Sequence, residues 1–325
     1  MSVQENELND PKALYRRWED SQWSPFDIDL TADQEQWTQM NPDDQRLIYW
    51  VLASLMVAEE RITTKFSGLV GAYGTEEEAT FLATQQVDEA RHMQFYARFQ
   101  DDVVAAPATV SEHVDRARRE LSPAFRRIFD VALVEAHERL VTEPGDLAAK
   151  VRFVTLYHLI LEATLGLTTF KFVMEYLERE RLLAGFAEGY SKIHHDETRH
   201  IGYGVWFLRE SVRDHPELAE AVRETMRELL PSVAESLAPP DRGSGSSGDA
   251  LGFSAVEIRK FALGGLTRRL DFIGVPLSTL LLDAREPPAE PVRSTEPPAP
   301  DPRASGRACV SSRRASSPPP ASRRA

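Results

Sequence analysis

Acidic side chains stand in the middle of apolar helical stripes at several places in this sequence, and a chain that folds them inward must supply cations to match. From Asp43 to Gly68 apolar residues recur at helical spacing, with Ile48, Leu52, Leu55, Met56, Ile62 and Phe66 on one side. Glu59 falls on that stripe: Leu55 and Met56 precede it by four and three residues, and Ile62 and Phe66 follow by three and seven. Glu60 is turned about 100° away on 3.6-residue geometry and reads as a surface acid. On the next helical pattern Leu82, Gln85, Glu89, His92, Tyr96 and Phe99 share a stripe, which turns a carboxylate and an imidazole toward the core. In the most apolar stretch, Val151 to Met174, the lone acid Glu162 is surrounded by Leu159, Leu165, Leu167 and Phe170. Burying that charge alone would cost several kcal/mol.

Two Glu-x-x-His motifs complete the set: Glu89-Ala90-Arg91-His92 and Glu197-Thr198-Arg199-His200. Residues three apart on a helix share a face, so each motif presents one carboxylate oxygen and one ring nitrogen to the same point. With 51 acids and eight histidines in 325 residues, that spacing arises roughly once by chance, so the apolar context has to decide. Glu59, Glu89, His92, Glu162, Glu197 and His200 together make four inward carboxylates and two imidazoles on four helices. That is the ligand set of ferritin-like di-iron and di-manganese bundles. Cys309 is the one cysteine, which excludes thiolate clusters and leaves oxygen and imidazole donors, a set suited to iron and manganese.

The rest of the chain follows the same helical grammar. Asn41-Pro42-Asp43-Asp44 starts the first long helix, Gly71 to Gly74 turn the chain, and Thr75-Glu76-Glu77-Glu78 starts a second helix reaching about Asp102. Further helical patterns run near 109–121, 123–142, 146–178, 180–214, 216–237 and 254–270, and no strand pattern interrupts the first 238 residues. The expected fold is an all-α, ferritin-like helical bundle with additional helices, spanning 23–275 after an N-terminal arm at 1–22. A Pro/Gly/Ser stretch at about 239–250 reads as a flexible linker, and the Pro/Arg/Ser-rich segment 287–325 as a disordered tail. The apolar 151–174 stretch carries Arg152, His158, Glu162 and Lys171, so it reads as a bundle helix and not as a membrane span. A net charge of -13 argues against nucleic acid as a partner. The polar N-terminus and cysteine usage fit the cytoplasm.

With these residues in view, the sequence resembles the ligand-binding oxidases similar to the ribonucleotide reductase small subunit. The resemblance runs over roughly residues 20–275, through Trp23, Pro25 and Asp27-Ile28-Asp29, Glu59-Glu60, Asp88 to His92, Tyr157 with Glu162, Asp196 to His200 with Gly202 and Gly204, and Arg268-Arg269-Leu270. It implies that the six residues above bind a manganese and iron pair, or two irons, which activate dioxygen beside a bound fatty-acid-like apolar ligand in a homodimer. It also implies an ether cross-link between Tyr157 and the residue three after Glu59. That residue is Ile62, where the family has valine, and its β carbon is also tertiary. Tyr157 lies five residues before Glu162, 140° around an ideal helix, so it reaches the site through a local π-bulge.

Tyr96, four residues after His92, stands where reductase small subunits keep a radical tyrosine, so a ribonucleoside-diphosphate reductase small subunit is the rival reading. The last tyrosine is Tyr203, which leaves the segment after it without a radical-relay tyrosine. An aryl-amine N-oxygenase and a non-catalytic metal-binding bundle are further alternatives. Asp88 and Asp196 read more simply as solvated or arginine-paired acids than as partners of bound imidazoles. Arg61, Arg91 and Arg199 read as surface charges, and His158, His194 and His195 as structural or exposed.

Overall fold

The structure is a computed structural model, and it describes residues 10–104, 108–237 and 251–279. The linker at 239–250 and the tail at 287–325 lie outside the described residues. Among the described residues there is no strand. The α-helices are α1 (Pro11–Glu19), α2 (Thr31–Gln39), α3 (Pro42–Lys65), α4 (Ser67–Gly71), α5 (Glu76–Phe99), α6 (Val110–Ala117), α7 (Pro123–Arg126), α8 (Leu133–Thr142), α9 (Leu147–Val154), α10 (Leu167–Glu180), α11 (Ala184–Asp214), α12 (Ala219–Ser236) and α13 (Ala255–Ile273). The sequence-based helix 123–142 is broken by a π-helical segment, Arg127–Ala132, and 146–178 by another, Thr155–Gly166.

Local chemistry sets these boundaries. The Asn41 side chain accepts from the backbone N–H groups of Asp43 (3.0 Å) and Asp44 (2.9 Å), and Pro42 opens α3 where a missing N–H is harmless. Thr75 caps α5, whose first turn holds Glu76, Glu77 and Glu78 against the positive helix end. The start of α11 has no cap of its own, because Leu183 sits in the left-handed region at φ 52°. Asp33 of α2 supplies one instead, accepting from the N–H groups of Gly185 (3.0 Å) and Phe186 (2.7 Å). An outer helix is thereby tied to a core helix.

The core is carried by α3, α5, the 155–166 segment and α11, with α9, α12 and α13 packed on one side and α1 and α2 on the other. The apolar run Leu147–Glu180 is long enough to cross a bilayer, but 78% of its most apolar window is buried inside the protein. Its crossing with α11 is close at Gly204, where an added methyl group would overlap the His158 β carbon. Gly204→Ala is therefore expected to destabilise by about 1–3 kcal/mol through overpacking, read as a lowered midpoint in urea titration. Below this crossing Glu78 is clamped: it accepts from Lys150 Nζ at 2.9 and 2.8 Å and from the Tyr203 hydroxyl at 2.5 Å, all three buried. Each donor meets an acceptor, so these buried polar groups are satisfied.

Candidate metal centre

Six side chains from four helical segments converge inside the bundle. Glu59 comes from α3, Glu89 and His92 from α5, Glu162 from the π-helical segment, and Glu197 and His200 from α11. Ligating atoms of Glu59, Glu89, His92 and Glu197 lie within 4.8 Å of one another, as do those of Glu89, Glu162 and His200. Glu89 offers Oε2 to the first group, 3.4 Å from His92 Nδ1, and Oε1 to the second, 3.2 Å from His200 Nδ1. Glu197 does the same from the other side, with Oε1 3.4 Å from His92 Nδ1 and Oε2 3.5 Å from His200 Nδ1. Two carboxylates thus span both halves, while Glu59 and Glu162 each serve one.

Behind each imidazole stands a carboxylate that sequence reasoning took for a solvated or arginine-paired acid. Asp196 Oδ2 is 3.1 Å from His92 Nε2, and Asp88 Oδ2 is 3.2 Å from His200 Nε2; both aspartates are buried. The exchange is reciprocal, since each aspartate adjoins the glutamate of one helix and serves the histidine of the other. Nε2–H donating outward leaves the Nδ1 lone pair facing the four glutamates, the tautomer a metal ligand requires. Two indoles extend the pattern: Trp23 Nε1 donates to Asp196 at 2.8 Å and Trp18 Nε1 to Asp88 at 2.9 Å. Arg199 is not the surface charge the sequence suggested. It is fully buried, and its Nη2 donates to Asp88 at 3.0 Å and to Asp196 at 2.6 Å. Arg91 is also mostly buried and donates to Asp88 at 2.9 Å. Arg61 keeps a half-buried pairing with Asp130 at 2.6 Å, and Glu60 is held by Arg118 at 2.5 Å instead of lying free in solvent.

The π-helical segment accounts for Tyr157. A turn closed by i→i+5 bonds, as between the Leu167 N–H and the Glu162 carbonyl, is wider than an α turn and brings residues five apart back toward one face. The Tyr157 hydroxyl donates to Glu89 Oε1 at 2.5 Å. Gln85, given no role from sequence, donates to Glu162 at 3.0 Å and faces His158 Nε2 at 3.4 Å through its carbonyl, so His158 is structural. Ile62 and Tyr96 are buried, and the Tyr96 hydroxyl has no hydrogen-bond partner.

The donor set fits cations. Glu59 Oε2, Glu162 Oε2, Glu197 Oε2, His92 Nδ1 and His200 Nδ1 are buried without hydrogen-bond partners, an arrangement that is costly unless ions fill it. The electrostatics agree. Burial pushes Glu59 up to about 8 and raises Glu162 and Glu197, the last also through the charge on Glu89. Burial works against charge on the imidazoles too, yet Asp196 with Glu59 and Glu89 holds His92 well above its usual value, and Glu89 and Glu197 do the same for His200. Glu89 is the exception: burial opposes its charge, and the two imidazoles hold it low.

A group raised in the native state contributes stability at low pH that is lost as pH rises, from 4.5 to about 8 for Glu59. Glu89 and Asp196, held low, contribute in full once pH exceeds the ordinary carboxylate range. Chelated protein is therefore expected to lose thermal stability between about pH 6 and pH 8, a loss that metal loading removes, as scanning calorimetry of the two forms would measure.

The family model described as "Ribonucleotide reductase, small chain" matches residues 3–236. The chain belongs to the ribonucleotide reductase small chain family. Membership places it among dimetal oxidoreductases, and the six converging side chains give this small-chain protein a site able to hold two ions. Three solved structures of single-residue variants of an R2-like ligand-binding oxidase share the fold. One with an anaerobically reconstituted Mn/Fe cofactor has a TM-score of 0.70 at 24% identity, covering 81% of this chain and 93% of that one. Two with aerobically reconstituted Mn/Fe cofactors give TM-scores of 0.71 and 0.72, again at 24% identity with 81% and 93% covered.

Above the small-chain site, on the side away from the imidazoles, lies a cavity of about 170 Å³ whose inner end is formed by Glu59, Glu162 and Glu197. Its walls are mainly apolar and aromatic, and they include Ile62, Tyr96 and His194. His194, expected to be structural or exposed, stacks on Phe170 at 3.7 Å. A histidine opposite a phenylalanine across two helices leaves no spacing pattern to read.

Proposed function

We propose that the protein is a dioxygen-activating dimetal oxidase, holding manganese and iron or two irons, that oxidises an apolar molecule bound against the centre. The observation that carries this reading is the apolar cavity that ends on three of the site's carboxylates. Glu59, Glu89, His92, Glu162, Glu197 and His200 hold the ions; four carboxylates balance two divalent charges, and oxygen and imidazole donors suit iron and manganese. Two such ions in reduced form supply electrons for dioxygen reduction. The protein's own part is to orient both imidazoles through Asp88 and Asp196, to exclude water with apolar walls, and to hold the organic molecule against the carboxylate face. The resemblance implies a long-chain fatty acid in this role, in a cytoplasmic homodimer.

Anaerobic loading with both metals followed by oxygen tests the reading: dioxygen consumption with an optical change is expected, and an unchanged spectrum with no consumption would overturn it. The Tyr157 hydroxyl on Glu89, with Ile62 three residues after Glu59, supports the cross-link as part of the same chemistry. Its formation removes the phenolic hydrogen and the Ile62 β hydrogen, passing two electrons and two protons toward dioxygen. Aerobic reconstitution is expected to lower the intact mass by two hydrogens and to yield a joined peptide pair; separate peptides would remove the cross-link and leave the metal site standing.

A reductase small subunit is the second reading, favoured by Tyr96 with its unpartnered hydroxyl. It would give a tyrosyl radical in electron paramagnetic resonance that Tyr96→Phe abolishes.

A further inference from the structure

We propose that Gln85 is a positioning residue that holds Glu162 and Glu89 in the pose required by the ion they share with His200. The inference rests on the six converging side chains being the metal ligands, and it does not depend on what the loaded centre oxidises.

Gln85 stands one helical turn before Glu89 on α5 and is fully buried, with its amide nitrogen 3.0 Å from Glu162 Oε1 and 3.5 Å from Glu89 Oε1. These two glutamates, with His200, form one half of the centre. The chemistry of the neighbours decides which way the amide points. Two carboxylates bound to an ion can only accept, so the NH2 group turns to them and the carbonyl turns to His158 Nε2, 3.4 Å away. Tyr157 adds a second neutral donor on the same side, its hydroxyl 2.5 Å from Glu89 Oε1.

The other half has no counterpart. Among the described residues no side-chain amide or hydroxyl donates to Glu59 or Glu197, whose Oε2 atoms lack hydrogen-bond partners. Glu162 also has the greater need, because it projects from the widened turns of 155–166, where its chain neighbours Leu161 and Ala163 offer a carboxylate nothing. A flexible side chain already held in its ligating pose loses less freedom when the ion arrives. An amide does this without adding a positive charge that would compete with the ion, and it leaves Glu162 Oε2 free.

Manganese(II) titration of the chelator-stripped full chain without oxygen, with free and bound ion read by electron paramagnetic resonance, tests this. The unaltered chain is expected to bind two ions. Gln85→Leu is expected to keep one at unchanged affinity and to weaken the other by about 10–100-fold. Gln86→Leu, at a side chain that donates to the Thr63 carbonyl instead, should change neither. Combining Gln85→Leu with His92→Ala, which removes a ligand from the opposite half, is expected to leave no tight ion. Should Gln85→Leu lose its helical circular dichroism, Gln85→Met, unbranched and adaptable in shape, carries the comparison. Two ions at unaltered affinity in the Gln85 variant, both ions weakened alike, or a tight ion surviving in the double variant would overturn the proposal. An unaltered chain that binds no manganese would overturn the ligand assignment itself, and the proposal with it.

Discussion

Glu89→Gln is expected to leave the purified protein with almost no tightly bound metal. Glu89 gives one oxygen to each half of the centre, 3.4 Å from His92 and 3.2 Å from His200, so its loss removes a ligand from both ions at once. Even outer partners of bound imidazoles typically matter by about 10–100-fold in metal affinity, and a shared anionic ligand should matter at least that much. Gln keeps the size of the side chain and an acceptor for the Tyr157 hydroxyl, so the fold should survive, with unchanged helical circular dichroism. His92→Ala removes a ligand from one half alone and is expected to leave about one ion per chain. Elemental analysis after gel filtration separates the cases; two ions per chain in Glu89→Gln would show that the six side chains are not the ligands.

The largest effect on stability is expected from Arg199→Leu. Its guanidinium is fully buried between Asp88 and Asp196, and removing it takes from both carboxylates their buried cation, leaving only the more exposed Arg91, 2.9 Å from Asp88 and 3.8 Å from Asp196. Breaking a buried ion pair in this way costs about 3–5 kcal/mol. For a domain of this size that corresponds to a drop in Tm of about 10 °C. Arg91→Leu removes a more exposed partner of Asp88, and its effect should be clearly smaller. Thermal denaturation of both variants in chelated form makes the comparison; equal, small shifts would show that the buried guanidinium does not stabilise the two carboxylates.

Much of this was legible in the sequence, because the chemistry forced a pattern. Glu59, Glu89 and Glu162 are conspicuous for being charged on apolar stripes, and periodicity is what a linear reading detects best. The π-helical turn followed from the same geometry, since Tyr157 could reach Glu162's face in no other way. What sequence reasoning missed lies in contacts between segments. Asp88 and Asp196 look like solvated or arginine-paired acids, and only where two helices cross does each also find the other's histidine. A signal was there: the whole five-residue run Asp-Glu-x-Arg-His occurs twice, at 88–92 and 196–200, and only half of it was read as functional. Repetition of the arginine marks a shared partner, which Arg199 is. The cavity had no such mark, because its walls come from many segments and an empty volume leaves no trace in a list of residues. Trp18 lay in what read as an N-terminal arm, yet α1 carries its indole to Asp88.

Glu197 is the most exposed of the six converging side chains, at 16% against 9% for Glu59 and 0% for either histidine. It also forms part of the inner end of the cavity. An organic guest of the proposed kind, seated in that cavity, would cover the carboxylate that is otherwise the most open of the six to water.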